Sequence, residues 1–242
     1  MLFFKKNTTL AKADLLKGMT DYHCHILPDV DDGIKHIEHT LQVLAYYEQI
    51  GIQKVWCTPH VMEDVPNTAV HLKERFEELK NTYHGTIKLN LASEYMLDNG
   101  FMDYLNNREL LPIGDDKDMI LVETRTFSAP RNMESIFNQI KSAGYFPLLA
   151  HPERYIYMNE DDYQYWKRNG IKFQLNIPSL AGVYGKEEKR KAEWLILNDM
   201  YDYYGSDLHN AHHIAESKFP FSEYPIKKKV VPHFRKLIEQ TQ

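Results

Sequence analysis

Apolar stretches of six to nine residues alternate with amphipathic stretches along this chain. The apolar stretches are close to the length of β-strands, and they are TDYHCH (20–25), KVWCTPH (54–60), IKLNLASEY (87–95), MILVET (119–124), YFPLLAH (145–151), IKFQLNI (171–177) and MYDYYGSD (200–207). Between several of them, apolar residues recur with the spacing of one helix face, in 36–51, 69–83, 132–144 and 186–200. This alternation predicts parallel strands joined by right-handed crossovers, which is an α/β fold.

The stretch 36–51 illustrates the helical pattern. Leu41, Leu44, Ala45 and Tyr47 are predicted to share its buried face. Gly51 is predicted to end this helix, because glycine readily adopts the left-handed conformation that closes many helices.

The number of strand–helix units bears on how the strands close. Seven units favour a barrel over an open sheet, and 242 residues are a usual length for a one-domain α/β barrel. The chain contains no repeat, no low-complexity segment and no evident linker. We therefore expect a single domain over residues 19–242, preceded by an N-terminal extension over residues 1–18.

Composition excludes several functional classes. A net charge of −5 argues against a nucleic-acid surface, which needs a concentrated basic patch. The two cysteines, Cys24 and Cys57, argue against a disulfide framework, so a reducing, cytoplasmic location is expected. We expect neither a membrane span nor a signal peptide, because no apolar run is long enough and residues 1–18 lack a sustained apolar region.

Potential metal ligands stand at the carboxyl ends of most predicted strands. In chain order they are His23 and His25, His60, Glu94, Glu123, His151 with Arg154 close behind, and Asp207 with His209. The carboxyl ends of parallel strands converge on one rim, and six of the seven predicted strands end in His, Asp or Glu. One such carboxylate is usually just solvated, but the full set predicts a metal centre.

The types of donor narrow the choice of metal. His23 and His25 are separated by one residue, so in a strand both side chains project from the same face. Imidazole and carboxylate donors without thiolate suit Zn²⁺, Mn²⁺ or Fe²⁺. Five histidines and four or five carboxylates exceed what one tetrahedral ion can use, so we expect a di- or trinuclear cluster with a bridging carboxylate.

Such a cluster indicates hydrolysis, most naturally at phosphorus. Clustered ions lower the pKa of a bound water and hold both the attacking and the leaving oxygen of an in-line displacement. Arg154, three residues after His151, could bind two phosphoryl oxygens through its planar guanidinium, although a surface pair with Glu153 is the alternative.

Other routes to ester hydrolysis lack their residues. A cysteine-dependent phosphatase needs an arginine six residues after the cysteine, but Val30 follows Cys24 and Glu63 follows Cys57 at that distance. No GxxxxGK[ST] loop is present, and Ser179 is not part of a GxSxG turn.

Six segments, taken in order, resemble one known group of proteins. DYHCHILPDVDDG, CTPH, SEY, VET, LLAHPERY and GSDLHN are similar to segments of the PHP (polymerase and histidinol phosphatase) superfamily. Within it they most resemble the metal-dependent tyrosine phosphatases of bacterial capsule and exopolysaccharide operons. The resemblance covers roughly residues 19–218, and it includes the segment QLNIPSLAGVYG. His212 and His213 follow GSDLHN and could border the site.

The resemblance implies a distorted (β/α)7, TIM-like barrel with two or three divalent ions on its rim. Mn²⁺ is expected first, with Fe²⁺, Zn²⁺ and Mg²⁺ as alternatives. The implied ligands are His23, His25 and Asp207 for one ion, Glu94 as a bridge, Glu123 and His151 for a second ion, and His60, His209 and either Asp31 or Asp32 for a third. Which of the two aspartates is the ligand stays open. Arg154 and Asp32 are the candidate catalytic residues.

The resemblance also implies an activity. It is that of a protein-tyrosine phosphatase that acts on a bacterial tyrosine kinase of polysaccharide synthesis, by in-line attack of a metal-bridging hydroxide. Three alternatives are a histidinol-phosphate type of small-molecule phosphatase, a non-catalytic metal-binding regulatory domain, and a carbon-centred amidohydrolase. The last is disfavoured because no lysine ends a predicted strand.

Overall fold

Parallel β-strands alternate with helices in the computed structural model, which describes residues 6–116, 118–211 and 220–241. The strands are β1 (Asn7–Thr9), β2 (Thr20–Cys24), β3 (Lys54–Cys57), β4 (His60–Val61), β5 (Lys88–Leu91), β6 (Glu94–Met96), β7 (Met119–Glu123), β8 (Phe146–Ala150), β9 (Lys172–Asn176), β10 (Tyr203–Gly205) and β11 (Pro225–Lys227). His212 and His213 lie outside the described residues.

The helices mostly lie between consecutive strands. They are α1 (Ile37–Ile50), α2 (Ala69–Thr82), α3 (Phe101–Asn107), α4 (Met133–Ser142), α5 (Glu160–Arg168), α6 (Ile177–Ala181), α7 (Lys186–Leu197) and α8 (Val231–Gln240), with short 3-10 helices at Pro152–Arg154 and Phe221–Glu223. No helix among the described residues is both long enough and apolar enough to cross a membrane.

Two parallel sheets carry the fold. One has six strands in the order β10-β9-β8-β7-β6-β4, and the other has three in the order β2-β3-β5. All residues of β7 are buried, as expected for a parallel strand covered on both faces. β2 also lies beside the chain that follows β10, where the Asp207 amide donates to the His23 carbonyl at 2.7 Å. The predicted α/β class is therefore confirmed.

Two of the predicted strands are interrupted. The stretch 54–60 divides into β3 and β4 around Thr58 and Pro59, and the stretch 87–95 divides into β5 and β6 around Ala92 and Ser93. Pro59 has no amide hydrogen and so cannot donate a hydrogen bond to a neighbouring strand. Its carbonyl still accepts one, from the amide of Glu94 at 3.1 Å. Each interruption moves the strand from the three-stranded sheet into the six-stranded one.

The buried face of α1 differs from the predicted one. Thr40, Val43, Leu44 and Tyr47 are buried, whereas Leu41 is only partly buried and Ala45 is exposed. Leu44 and Tyr47 lie on the face as predicted, whereas Thr40 joins it because its polar side chain finds a buried partner. The Thr40 hydroxyl donates to the Ile26 carbonyl at 2.7 Å, and the Tyr47 hydroxyl donates to Asp21 at 2.9 Å. Gly51 ends the helix with φ of +92°, as predicted.

The residues before β2 pack on the same core as the rest of the chain. β1 pairs antiparallel with β11, which ties this segment to the region before α8. Leu10, Leu15 and Leu16 are each at most 3% exposed and belong to the main hydrophobic core. The segment therefore contributes apolar burial to the stability of the domain.

Truncation of Leu15 should destabilise the whole domain. Leu15→Ala removes buried apolar atoms and leaves a cavity, so we expect the free energy of unfolding to fall by about 2–5 kcal/mol. Urea denaturation measures this difference. Val70→Ala, at a residue that is 66% exposed, is the control, with an expected change below about 0.5 kcal/mol. Equal stability of the two variants would mean that the segment is not part of the cooperative unit.

Candidate metal centre

The strand ends bring the predicted donors together on one edge of the fold. His23 lies in β2, His60 begins β4, Glu94 begins β6 and Glu123 ends β7. Other donors follow strands. His25 comes directly after β2 and His151 directly after β8, while Asp207 and His209 come shortly after β10. Asp32 lies in the loop after β2. β4 and β6 exist because the two predicted strands are interrupted, and their pairing places His60 opposite Glu94. The interruptions therefore bring these two side chains next to each other.

Four overlapping groups of side chains could each hold an ion. They are His23–His25–Asp207, His23–Glu94–His151, His60–Glu94–Glu123, and His25–Asp32–His60–His209, with the donor atoms of each group within 4.8 Å of one another. Since His23, His25, His60 and Glu94 each belong to two groups, the groups form one continuous cluster. The arrangement fits several adjacent ions rather than one.

The donor atoms in this cluster lack ordinary partners. His23 Nε2 faces His25 Nε2 at 3.1 Å, and two imidazole nitrogens at that distance need a shared proton or cation between them. Glu94 Oε2 lies 3.2 Å from both His23 Nε2 and His60 Nδ1. Within the part of the chain that the structure describes, however, neither Glu94 Oε2 nor His60 Nδ1 makes a hydrogen bond of good geometry. Buried polar atoms are normally paired, so these atoms fit a bound cation.

Neighbouring groups fix which nitrogen of each imidazole faces the cluster. Asp31 Oδ2 accepts from His25 Nδ1 at 2.7 Å, and Gln174 Oε1 accepts from His23 Nδ1 at 3.0 Å. With Nδ1 donating outward, the Nε2 lone pair of each ring is directed to the centre. Gln174 lies in the segment QLNIPSLAGVYG, but nothing in its spacing marks it as a partner of a histidine 151 residues away, so this role is not predictable from sequence.

The two consecutive aspartates have different surroundings. Asp31 is buried, and its carboxylate accepts from His25, from the His60 amide at 3.0 Å and from the Gly33 amide at 2.9 Å. Asp32 has a side chain that is 72% exposed, and its Oδ1 lies 3.5 Å from both His60 Nε2 and His209 Nε2. Among the described residues, Asp32 therefore joins one of the four groups and Asp31 joins none.

The electrostatics of the cluster favour positive charge. Burial raises the pKa of Asp207, but the charge of His23 and a hydrogen bond from His25 outweigh it and hold that pKa well below its ordinary range. Burial lowers the pKa of His23, but the carboxylates of Glu94 and Asp207 raise it to about 9. The two shifts are opposite sides of the same imidazole–carboxylate pairing, because the carboxylates stabilise positive charge on the rings and positive charge there keeps Asp207 ionised.

Arg154 lies beside the cluster. Its Nη1 donates to Asp207 Oδ2 at 2.6 Å, and its guanidinium carbon lies 4.4 Å from the ring centre of Tyr184. Burial lowers the pKa of Arg154, but Asp207 together with Tyr184, Glu94 and Tyr155 raises it, so the group stays charged. A cavity of about 370 Å³ is lined in part by Arg154, Asp32, Asp207 and His209.

The backbone at the edge of the site is strained or closely packed. His151 and Asp207 have φ of +34° and +51°, a conformation that costs non-glycine residues about 1 kcal/mol or more. A Cβ atom on Gly205 would lie 2.4 Å from Cβ of His23 and 2.7 Å from its amide nitrogen. Gly205 is therefore required for β10 to approach β2 closely enough to place Asp207 beside His23.

The fold and the site together define a class, an α/β protein with a candidate polynuclear metal centre at the ends of parallel strands. The model of the family described as "Capsular polysaccharide synthesis, CpsB/CapC" matches residues 19–230. This chain belongs to that family, which confirms the family predicted from the motifs.

Individual relatives agree with this membership. The chain is 30% identical over 198 residues to tyrosine-protein phosphatase YwqE of Bacillus subtilis (strain 168), over 79% of this chain and 78% of the relative. It is 26% identical over 203 residues to tyrosine-protein phosphatase CpsB of Streptococcus pneumoniae, over 79% of this chain and 83% of the relative. A crystal structure from work on these two proteins, described as metal-dependent tyrosine phosphatases, matches with a TM-score of 0.76 and 26% identity, over 90% of this chain and 87% of the other.

Substitution of Gly205 should disturb the centre without removing a donor. In Gly205→Ala the new Cβ overlaps the backbone of His23, so we expect a loss of about 1–3 kcal/mol in the free energy of unfolding and a fall in bound metal. Urea denaturation and elemental analysis measure these quantities. Gly100→Ala is the control, because its Cβ would meet nothing closer than 3.5 Å. Wild-type stability and metal content in Gly205→Ala would contradict the close approach.

Proposed function

We propose that this protein is a metal-dependent protein-tyrosine phosphatase. The observation that carries the proposal is the continuous cluster of imidazole and carboxylate donors with a charged arginine beside it. The names of the relatives YwqE and CpsB support the same activity. A cluster of this kind suits phosphoester hydrolysis, since metal ions next to a guanidinium can neutralise the charge of a transferring phosphoryl group.

The proposed centre would hold two or three divalent ions, with Mn²⁺ as the first choice and Fe²⁺, Zn²⁺ and Mg²⁺ as alternatives. Glu94 would be the shared ligand, because its carboxylate belongs to two of the groups. The other ligands would be His23, His25 and Asp207 for one ion, Glu123 and His151 for the next, and His60, His209 and Asp32 for a third. When bound, such ions lower the pKa of a water and stabilise charge that develops at phosphorus.

Arg154 is the proposed phosphate-binding residue. The bond to Asp207 uses only Nη1, and Asp207 is the one hydrogen-bond partner of this guanidinium among the described residues, so other N–H groups can donate to a phosphoryl oxygen. Because the pKa of Arg154 is raised, it keeps its charge over the whole working range of pH. Two donors in a fixed plane then orient the phosphoryl group toward the cluster.

The proposed role of Asp32 is that of a ligand rather than a proton donor. A hydrogen bond with His209 lowers the pKa of Asp32, so its carboxylate is ionised near neutral pH. A tyrosine phenol has a pKa near 10 and leaves more readily than an alkyl alcohol. The reaction therefore does not depend on a strong acid at this position.

Four broader proposals concern the substrate, the location, the barrel and the extent of the domain. The substrate is a phosphotyrosine protein, a tyrosine kinase of bacterial polysaccharide synthesis, which rests on analogy within a family described by capsular polysaccharide synthesis. The reaction takes place in the cytoplasm. The parallel strands form a distorted (β/α)7 barrel, and residues 19–242 form one domain, which the backbone bonds between β2 and the chain after β10 support.

Two substitutions separate phosphate binding from metal binding. In Mn²⁺, we expect His151→Ala and Arg154→Ala each to lower kcat/KM for a phosphotyrosine peptide by about 10²-fold or more. Elemental analysis should find less metal only in His151→Ala. His84→Ala, at an exposed histidine, is the matched control. Equal activity in all of these proteins would refute the site, and preferential turnover of histidinol phosphate by the wild type would favour the small-molecule alternative.

The two aspartates should respond differently to substitution. Asp32→Ala should lose one ion per chain and keep its stability, because the Asp32 side chain is mostly exposed. Asp31→Ala should lose about 1–3 kcal/mol of unfolding free energy, because the Gly33 and His60 amides lose a buried acceptor. Metal content and urea denaturation measure both effects. The reverse pattern would assign the ligand to Asp31.

A further inference from the structure

The cavity beside the candidate metal centre is lined by both polar and apolar side chains. Its polar lining includes Arg154, Asp32, Asp207 and His209, and its apolar lining, here called the apolar wall, includes Pro178, Val183, Tyr184 and Leu208. A volume of about 370 Å³ is within the range of small-molecule sites. The ester substituent of a phosphoryl group bound to Arg154 would therefore have apolar side chains beside it in the same cavity.

Two residues of the apolar wall, Val183 and Tyr184, are accessible to solvent. Val183 is 49% exposed and Tyr184 is 37% exposed, although most apolar side chains of the described residues are buried. Single exposed apolar residues are common on protein surfaces, but these two are adjacent and line the cavity of the proposed active site. Apolar area in this position is available to cover an apolar part of a ligand.

The segment that carries Val183 and Tyr184 is held in place on both sides. Gly182 ends α6 with φ of +87°, and its amide donates to the Pro178 carbonyl at 3.1 Å. Gly185 has φ of +138° just before α7 begins. Two glycines in conformations that other residues rarely adopt thus define the path of the segment.

Tyr184 is also part of the support of Arg154. The guanidinium lies over the Tyr184 ring, and Asn176 Nδ2 donates both to the Tyr184 hydroxyl at 3.3 Å and to Asp207 Oδ2 at 2.8 Å. Burial and the charge of Asp207 raise the pKa of Tyr184 to about 12, so the phenol stays neutral and does not repel a phosphate dianion. The same ring therefore contacts the phosphate-binding residue and borders the space for the ester substituent.

We propose that Val183 and Tyr184 form an aryl subsite, which packs against the phenyl ring of the substrate and makes the protein prefer aryl to alkyl phosphomonoesters. The proposal rests on the proposed phosphatase function, and it adds the residues that select an aromatic ester. An aromatic ring in contact with Tyr184 gains about 0.5–1.5 kcal/mol, which corresponds to about 2- to 13-fold in affinity. A methyl group in the same place would gain much less, because it buries little area.

The test compares phenylphosphonate with methylphosphonate, neither of which is hydrolysed. Calorimetry on Mn²⁺-loaded protein gives the ratio of the two dissociation constants for the wild type and each variant. Tyr184→Ala should reduce the preference for phenylphosphonate by about 3- to 10-fold, and Val183→Ala by about 2- to 3-fold. Tyr184→Phe should retain it, because the ring is kept. The use of a ratio cancels any loss of phosphate affinity through Arg154.

Tyr165→Ala is the matched control, since Tyr165 is 39% exposed and lies on α5 outside this cavity. An unchanged ratio in both Tyr184→Ala and Val183→Ala would overturn the aryl subsite while hydrolysis by the wild type leaves the phosphatase function standing. If the wild type hydrolyses no phosphomonoester, the proposed function fails, and the phosphonate ratios still decide whether the subsite exists. The Val183 side chain has no polar atom and is not one of the groups described as supporting Arg154, which are Tyr184, Asn176 and Asp207. Its variant therefore also serves if Tyr184→Ala does not fold.

Discussion

One buried carboxylate organises the structure around it. Glu94 is fully buried, and its oxygens lie within 3.4 Å of nitrogens from four imidazoles, those of His23, His25, His60 and His151. Burial alone would raise the pKa of Glu94, but the charge of His23 and a hydrogen bond from His151 lower it well below its ordinary range. A buried anion is costly unless it is paired, so every element that carries a ring must approach this point.

The irregular parts of the fold follow from that requirement. A continuous strand over 87–95 would keep Glu94 in the ladder of the three-stranded sheet, whereas the interruption at Ala92 and Ser93 lets β6 pair with β4 and β7. The positive φ angles of His151 and Asp207 have the same origin, because both residues turn out of a strand toward the centre. Strain of this kind persists only where the surrounding structure determines the conformation, and the regular strands β7, β8 and β9 provide that support.

The donors could be predicted from sequence because they obey a local rule, the position of a residue at the end of a strand. Their partners could not. Gln174 and Asn176 lie within an ordinary strand, and their contacts with His23 and Asp207 depend on how strands distant in sequence are packed. Asp31 and Asp32 have the same residue type and adjacent positions, so only the conformation of their loop separates them. The strand interruptions are not predictable for a related reason. The apolar pattern of 54–60 and 87–95 runs on without a break, although the hydrogen bonds of each stretch pass from one sheet to the other.

The side chains that hold Arg154 connect the proposed phosphate-binding residue to the proposed aryl subsite. Asp207 belongs to the metal cluster, Asn176 joins it to Tyr184, and Tyr184 both underlies the guanidinium and borders the cavity. Metal ligands at strand ends are compatible with many hydrolytic substrates, so selectivity must come from the loops that follow the strands. Here Tyr184, in the segment between α6 and α7, is connected through Asn176 to the carboxylate that holds Arg154. A change in this segment is therefore expected to act on the proposed phosphate binding as well as on the ester group. Because the two proposed roles are coupled through Tyr184, Asn176 and Asp207, a change in affinity for a single ligand cannot by itself tell which role a substitution has altered.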